Sequence, residues 1–298
     1  MVIFMDDVIL HGKTRNELIA HVGEFLQICK EENLRLKISK STFKTREVDF
    51  LGYKIKEGQY SPCPIKMAAI KDWPAPTNLK ELRSFIGFCN FYRMFIANFS
   101  QIAHPLHLLT KKDQEYIWGE TQKQAFEELK NRLTLSPVLR LPNLSKPFIV
   151  QTNASKLGTG AVLLQTDDAG VAHPCAYLSQ ALVGAEQNYQ VYDLELLAVI
   201  RALKAWRPYL ISPPEPTILI FYTDHQNIMY FRQPQDLTAR QMRWHSILQE
   251  YLIRFVHISG HKNGAPDLLS RMAHFVPSVT PQLTLIPDSL MDHERGGG

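Results

Sequence analysis

Lys146-Pro147-Phe148-Ile149-Val150-Gln151-Thr152 opens a strand, and the elements that follow it decide the fold. Its β-branched and aromatic side chains, entered through a proline, read as a sheet segment. Further strands are predicted near 159–165 and 173–178, then a long helix from about Ala185 to Trp206. A strand over Ile218–Thr223, a helix near 225–231, a helix over Ala239–Glu250, a strand over Ile253–Ile258 and a helix starting near Pro266 complete the stretch. Three consecutive strands followed by helix-strand alternation build a mixed sheet with helices on its faces.

Few acids in this stretch sit where chemistry would want them. Asp224 follows the apolar run Ile218-Leu219-Ile220-Phe221-Tyr222-Thr223, at the strand end where open α/β sheets bind ligands. Glu195 lies among leucines in Asp193-Leu194-Glu195-Leu196-Leu197, so it is either solvated at a helix rim or held against a cation. Asp267 follows Pro266 in a first helical turn, where the helix dipole alone would favour an acid. Each has an ordinary structural explanation; their order along the chain is what suggests a site. The first strand carries Thr152-Asn153-Ala154-Ser155. Asp193 is left out, because side chains two apart on a helix point about 200° from one another.

Upstream, Phe4-Met5-Asp6-Asp7 lies between Val2-Ile3 and Val8-Ile9-Leu10, a strand-turn-strand hairpin that presents two carboxylates. Paired acids suit a divalent cation that also holds phosphate, though an isolated Asp-Asp is more often a simple turn. An amphipathic helix follows over 14–34, then a second hairpin around Phe50-Leu51-Gly52-Tyr53 and Gly58. Helices over about 65–72, 79–90 and 122–133 read as an all-helical middle unit closed by Pro137 and Pro142.

Composition narrows the class. With 298 residues, 45% hydrophobic, and a net charge of +4, the chain is long enough for several packed units and tolerates a polyanion partner without demanding one. Cys29, Cys63, Cys89 and Cys175 show no C-x-x-C spacing, which suits a reducing compartment and argues against zinc. No apolar run of about 18 residues and no signal-peptide layout are present, so an intracellular protein, cytoplasmic or nuclear, is expected.

Taken together these motifs resemble the C-terminal part of the Pol polyprotein of gypsy-type long-terminal-repeat retrotransposons. Phe4-Met5-Asp6-Asp7 resembles the polymerase Tyr-x-Asp-Asp hairpin, and Phe50-Leu51-Gly52-Tyr53 the hairpin that grips the primer end. Leu82-Arg83-Ser84-Phe85-Ile86-Gly87 with Asn90-Phe91-Tyr92-Arg93 resembles the thumb; Glu195-Leu196-Leu197-Ala198, Thr223-Asp224-His225, and Asn263 with Asp267 resemble RNase H. The resemblance implies an α/β (α+β) multidomain chain: a truncated reverse-transcriptase palm over 1–60, a thumb over 61–117, a connection over 118–145, an RNase H-like domain over 146–272 with a mixed five-stranded sheet and flanking helices, and a tail over 273–298. It also implies RNA-directed DNA synthesis and cleavage of RNA in RNA·DNA hybrids. The implied cofactor is Mg²⁺ or Mn²⁺, bound by Asp6 and Asp7 in one site and by Glu195, Asp224 and Asp267 in the other, where two ions would stand about 4 Å apart.

Departures from the family pattern set further expectations. The fingers, most of the palm and the polymerase's third carboxylate do not precede Met1, so nucleotide addition by this chain alone is not expected. Asn153 occupies the position of the missing RNase H aspartate; an amide lacks the charge that binds hard cations, so RNase H activity is expected to be weak or absent. The alternative is an inactive nucleic-acid-binding or interaction module that keeps the fold. Arg83, Arg93, Arg240, Arg243 and Lys262 are the expected phosphate contacts to a hybrid or other duplex, while Trp244 reads as core and Lys111-Lys112 as solvated surface. His225 and His261 read first as surface histidines, His261 standing near the place of a proton shuttle in some relatives. The exposed palm remnant is expected to be mobile or to associate.

Overall fold

The computed structural model describes residues 1–211, 218–223 and 237–258. It divides into two compact units: residues 1–96 with 102–141, and residues 97–101 with those described from Pro142 onward.

The first unit starts with a hairpin of β1 (Val2–Phe4) and β2 (Asp7–Ile9), then helix α1 (Arg15–Glu31). Thr14 caps α1 by accepting the Glu17 N–H at 3.2 Å, and Glu17 in return accepts the Lys13 N–H at 2.7 Å, a pairing that satisfies otherwise orphaned amides. Strands β3 (Glu47–Phe50), β4 (Tyr53–Lys56) and β5 (Gln59–Pro62) form an antiparallel meander. Both of its turns hold two residues at positive φ, Leu51 and Gly52 in one and Glu57 and Gly58 in the other. That is the requirement of the tight hairpin loops whose twist matches paired strands, and it explains a glycine second in each.

Helices α2 (Pro64–Lys71), α3 (Leu79–Phe91), α4 (Phe99–Leu108) and α5 (Glu120–Thr134) follow. Asn78 caps α3 through the Glu81 N–H at 3.0 Å. The buried rings of Phe85 and Phe126 meet at 4.5 Å, with Trp73 against Phe85 and Trp118 against Phe126. The middle of the chain is not all helical as the sequence suggested. Between the two prolines, β6 (Leu139–Arg140) pairs with β5 through Tyr60 and Leu139, because a fully buried Leu139 completes the sheet that the hairpin began.

In the second unit, β7 (Ile149–Ala154), β8 (Gly158–Thr166) and β9 (Ala172–Ala181) form an antiparallel meander. Helix α6 (Val191–Ala205) and the single turn α7 (Arg207–Leu210) lead to β10 (Leu219–Thr223), helix α8 (Ala239–Gln249) and β11 (Ile253–His257). The sheet order is β11-β10-β7-β8-β9, with β10 parallel to both neighbours. This is the expected mixed five-stranded sheet. Val150, Leu163 and Phe221 from the strands, with Phe148 just before β7, bury against Leu196, Val199, Ile200 and Leu203 of α6 and Trp244 of α8. The long helix begins later than the sequence suggested. A 3₁₀ turn over Gly184–Asn188 comes first, and the extended backbone of Tyr189 and Gln190 separates it from α6.

Residues 97–101 join this unit through side chains. The Ser100 and Ser179 hydroxyls lie 2.7 Å apart, both buried, the Ser100 N–H donates to Ser179 Oγ at 2.9 Å, and Gln101 Nε2 donates to Ser155 Oγ at 2.9 Å. Gly158 is what allows the close approach: a Cβ there would stand 2.6 Å from the Gln180 carbonyl oxygen and 2.9 Å from Ser100 Oγ. Gly158→Ala is therefore expected to destabilise the unit by about 1–3 kcal/mol. By contrast Gly87 in α3 faces open space, and Gly87→Ala should stabilise by about 0.5–1 kcal/mol. Urea unfolding of both variants reads the opposite signs.

Candidate active sites

Glu195 meets the end of β7, the central strand of the second unit's sheet, beside Asn153 in the chain. Strand β7 ends just past Asn153, and the Ala154 N–H donates to Glu195 Oε1 at 2.9 Å. Glu195 is buried, at 3% exposure, in the second turn of α6, while Asn153 is half-buried. Strand β10 runs parallel to β7 in the register Tyr222 to Gln151, and Thr152 Oγ1 donates to the Tyr222 carbonyl at 3.5 Å. Both strands thus end at the same side of the sheet, β10 at Thr223. Asp224, Asp267, Lys262, His225, His261 and the helices expected near 225–231 and Pro266 lie outside the described residues.

Asp193 has a different task. It is buried at 3% exposure, pairs with the Arg240 guanidinium and accepts from Gln241 Nε2 at 3.0 Å. Gln241 also donates to the Tyr192 hydroxyl and accepts the Thr238 N–H at 2.9 Å, so one side chain caps α8 and ties it to α6. The Arg240 guanidinium carbon lies 3.9 Å from the centroid of the Tyr189 ring and 5.4 Å from that of Trp244, an arrangement in which ring faces add to the attraction. Arg240, expected to meet phosphate, is thus engaged inside the unit, whereas Arg243 one turn on is exposed. Trp244 is core, as its position among apolar neighbours suggested. Nothing local marks the Asp193 and Arg240 pair in the sequence, since 47 positions separate them.

The described residues do not themselves fit a divalent-metal centre. Among them no three His, Cys, Asp or Glu side chains group closely enough to hold an ion. Beside β7 they offer one carboxylate and one amide, and Asp193 is already paired to a guanidinium. A hard cation needs more carboxylate charge than that.

In the first unit, Asp6 and Asp7 are exposed on the β1-β2 hairpin, whose loop residue Met5 takes φ +52°. The left-handed backbone of a non-glycine residue here suits a two-residue hairpin loop. The apolar Val2, Ile3 and Phe4 are also exposed. In the second hairpin, the Gly52 carbonyl accepts the Tyr92 hydroxyl at 2.9 Å and the Cys63 N–H at 3.1 Å. Burial pushes the Tyr92 phenol up to about 12, so it remains a donor throughout the neutral range. The Tyr53 ring stacks on Phe91, centroids 5.3 Å apart. Arg83 on α3 and Arg93 just beyond it are both exposed.

Comparison with known proteins gives this geometry a family. Residues 1–55 match the profile of the family described as reverse transcriptase (RNA-dependent DNA polymerase), and residues 118–218 that of the RNase H-like domain found in reverse transcriptase. The Tf2-3 and Tf2-7 transposon polyproteins of Schizosaccharomyces pombe are 38% identical to the chain over 274 residues, 91% of its length. The chain belongs to the reverse transcriptase and RNase H region of gypsy-type LTR retrotransposon polyproteins. It spans 20% of the length of those relatives. A foamy viral protease-reverse transcriptase solved in complex with double-stranded DNA shares the fold, with a TM-score of 0.69 and 24% identity over 83% of this chain and 44% of that one. A foamy viral protease-reverse transcriptase in complex with an RNA/DNA hybrid gives 0.68 and 23%, over 93% and 37%. Within this retrotransposon chain, Asp6 and Asp7 fall in the segment matched to reverse transcriptase, and Asn153 and Glu195 in the segment matched to RNase H.

Proposed function

We propose that the chain is a reverse transcriptase and RNase H segment that engages RNA·DNA hybrid and whose hybrid-cleaving site is impaired by Asn153. The observation that carries this reading is the neighbourhood of Glu195: its carboxylate accepts the N–H of Ala154, the residue that follows Asn153 on the same strand. Glu195, Asp224 and Asp267 are the acids assigned to magnesium or manganese, and a bound divalent ion would supply activation of water. The chain's own contribution is to orient Glu195 at the strand end, where its Oε1 accepts the Ala154 N–H. Asn153 offers one carbonyl oxygen and no charge, so ion occupancy is expected to be low. Arg83, Arg93, Arg243 and Lys262 are assigned to phosphate contact. Asp6 and Asp7 are assigned to the polymerase hairpin, with nucleotide addition belonging to the larger polyprotein.

The test is cleavage of an end-labelled RNA strand in an RNA·DNA hybrid with magnesium or manganese. Little or no product from the unaltered chain is expected. Strong hydrolysis abolished by Asp224→Asn would overturn the reading. A binding module without chemistry is the competing reading, which Asn153 also favours; salt-dependent hybrid binding with no cleavage even after Asn153→Asp would select it.

A further inference from the structure

Between Glu32 and Glu47 the chain carries Arg35, Lys37, Lys40, Lys44 and Arg46 and no acid. Every side chain from Asn33 to Glu47 is exposed. Arg46 meets Glu57 at 3.7 Å in a solvent-exposed pair, while the other four cations have no carboxylate within ion-pair distance among the described residues. Apolar side chains alternate with them, including Ile38 at 75% exposure and Phe43 at 64%. The backbone holds one 3₁₀ turn, Ile38–Lys40, and turns again at Lys44 with φ +54°. Like charges at this density repel one another and create a strongly positive local potential, so the segment lowers its own energy when an external polyanion covers it.

We infer that residues 35–46 form a docking surface for single-stranded nucleic acid, with the cations on phosphates and Phe43 against a base. Single strands offer both unpaired base faces and phosphates, which is the pairing of features this segment presents. A duplex hides its base faces. A lipid surface calls for an amphipathic helix with a continuous apolar side, and this segment has only a three-residue turn. The inference rests on the reading of the chain as one that handles nucleic acid, and adds to it a strand-binding surface separate from the Glu195 site.

The test is fluorescence anisotropy with labelled oligo(dT) of about 20 nucleotides, long enough for such a site, across a series of salt concentrations. Full-length chain, Lys37→Gln/Lys40→Gln/Lys44→Gln and Phe43→Ala are compared, with circular dichroism confirming that the variants fold. The triple variant should bind roughly tenfold or more weakly, and its slope of log affinity against log salt should shrink by about 2, the loss of three single-strand phosphate contacts. Phe43→Ala should weaken binding with the slope unchanged. Unchanged oligo(dT) affinity in the triple variant overturns the inference. So does loss of binding to phosphatidylserine vesicles with oligo(dT) binding kept, which would make the surface a lipid contact. A matched RNA·DNA hybrid separates the two readings: hybrid binding with no effect of the triple variant on oligo(dT) overturns the loop alone, whereas no binding of either nucleic acid overturns both.

Discussion

Asn153→Asp is expected to raise cleavage of RNA in a hybrid by at least about a hundredfold, the scale on which metal-site charge and its support usually act. The substitution keeps size and shape at a half-buried strand end and adds a negative charge one residue from the N–H that holds Glu195. Without metal the added charge repels Glu195, so the apo protein should become slightly less stable. With magnesium the order should reverse: the melting temperature of Asn153→Asp should rise with ion concentration by linkage, and that of the unaltered chain should move little. Cleavage assays and thermal melts with and without magnesium therefore read the same charge in two ways. No gain in cleavage together with no magnesium-dependent stabilisation would sink the idea that Asn153 limits the site. Asp224→Asn in the Asn153→Asp background should abolish the gain.

Arg240→Met is expected to cost about 3–5 kcal/mol, because it leaves a buried carboxylate without its cation. The Asp193 side chain is 4% exposed and its remaining donor is the Gln241 amide. Asp193→Ala should cost less, about 1–3 kcal/mol, since Arg240 at 31% exposure can turn to water. Arg240→Met/Asp193→Ala should lose less than the sum of the two, the mark of coupling between direct partners. Unfolding in urea measures the totals, and amide hydrogen exchange locates the loss to α6 and α8. An unchanged midpoint for Arg240→Met would contradict the assignment, and would return Arg240 to the phosphate-contacting role expected from the sequence.

Much of the fold was legible in local pattern. Thr14 with Glu17, Asn78 with Glu81, and the glycines at 52 and 58 announce helix starts and hairpin turns because their physics acts over four residues or fewer. The alternation of strands and helices after Lys146 was enough for the mixed sheet. Local pattern misjudged the start of α6, where Glu186 and Gly184 in a 3₁₀ turn mimic a helical opening. It also passed over β6, whose two residues pair only because β5 is already in place.

The sequence by itself determined the kinds of groups available: two acids in the first hairpin, an amide at 153, an acid at 195, and the motifs that mark a retrotransposon reverse transcriptase and RNase H. Only the tertiary structure decided which of them meet. It set Glu195 against the Ala154 N–H, turned Asp193 and Arg240 into a latch between helices, and drew Ser100 to Ser179 across 79 positions. Composition and periodicity carry no term for such long-range pairs; their energy arises when burial removes water and leaves each polar group to find a partner.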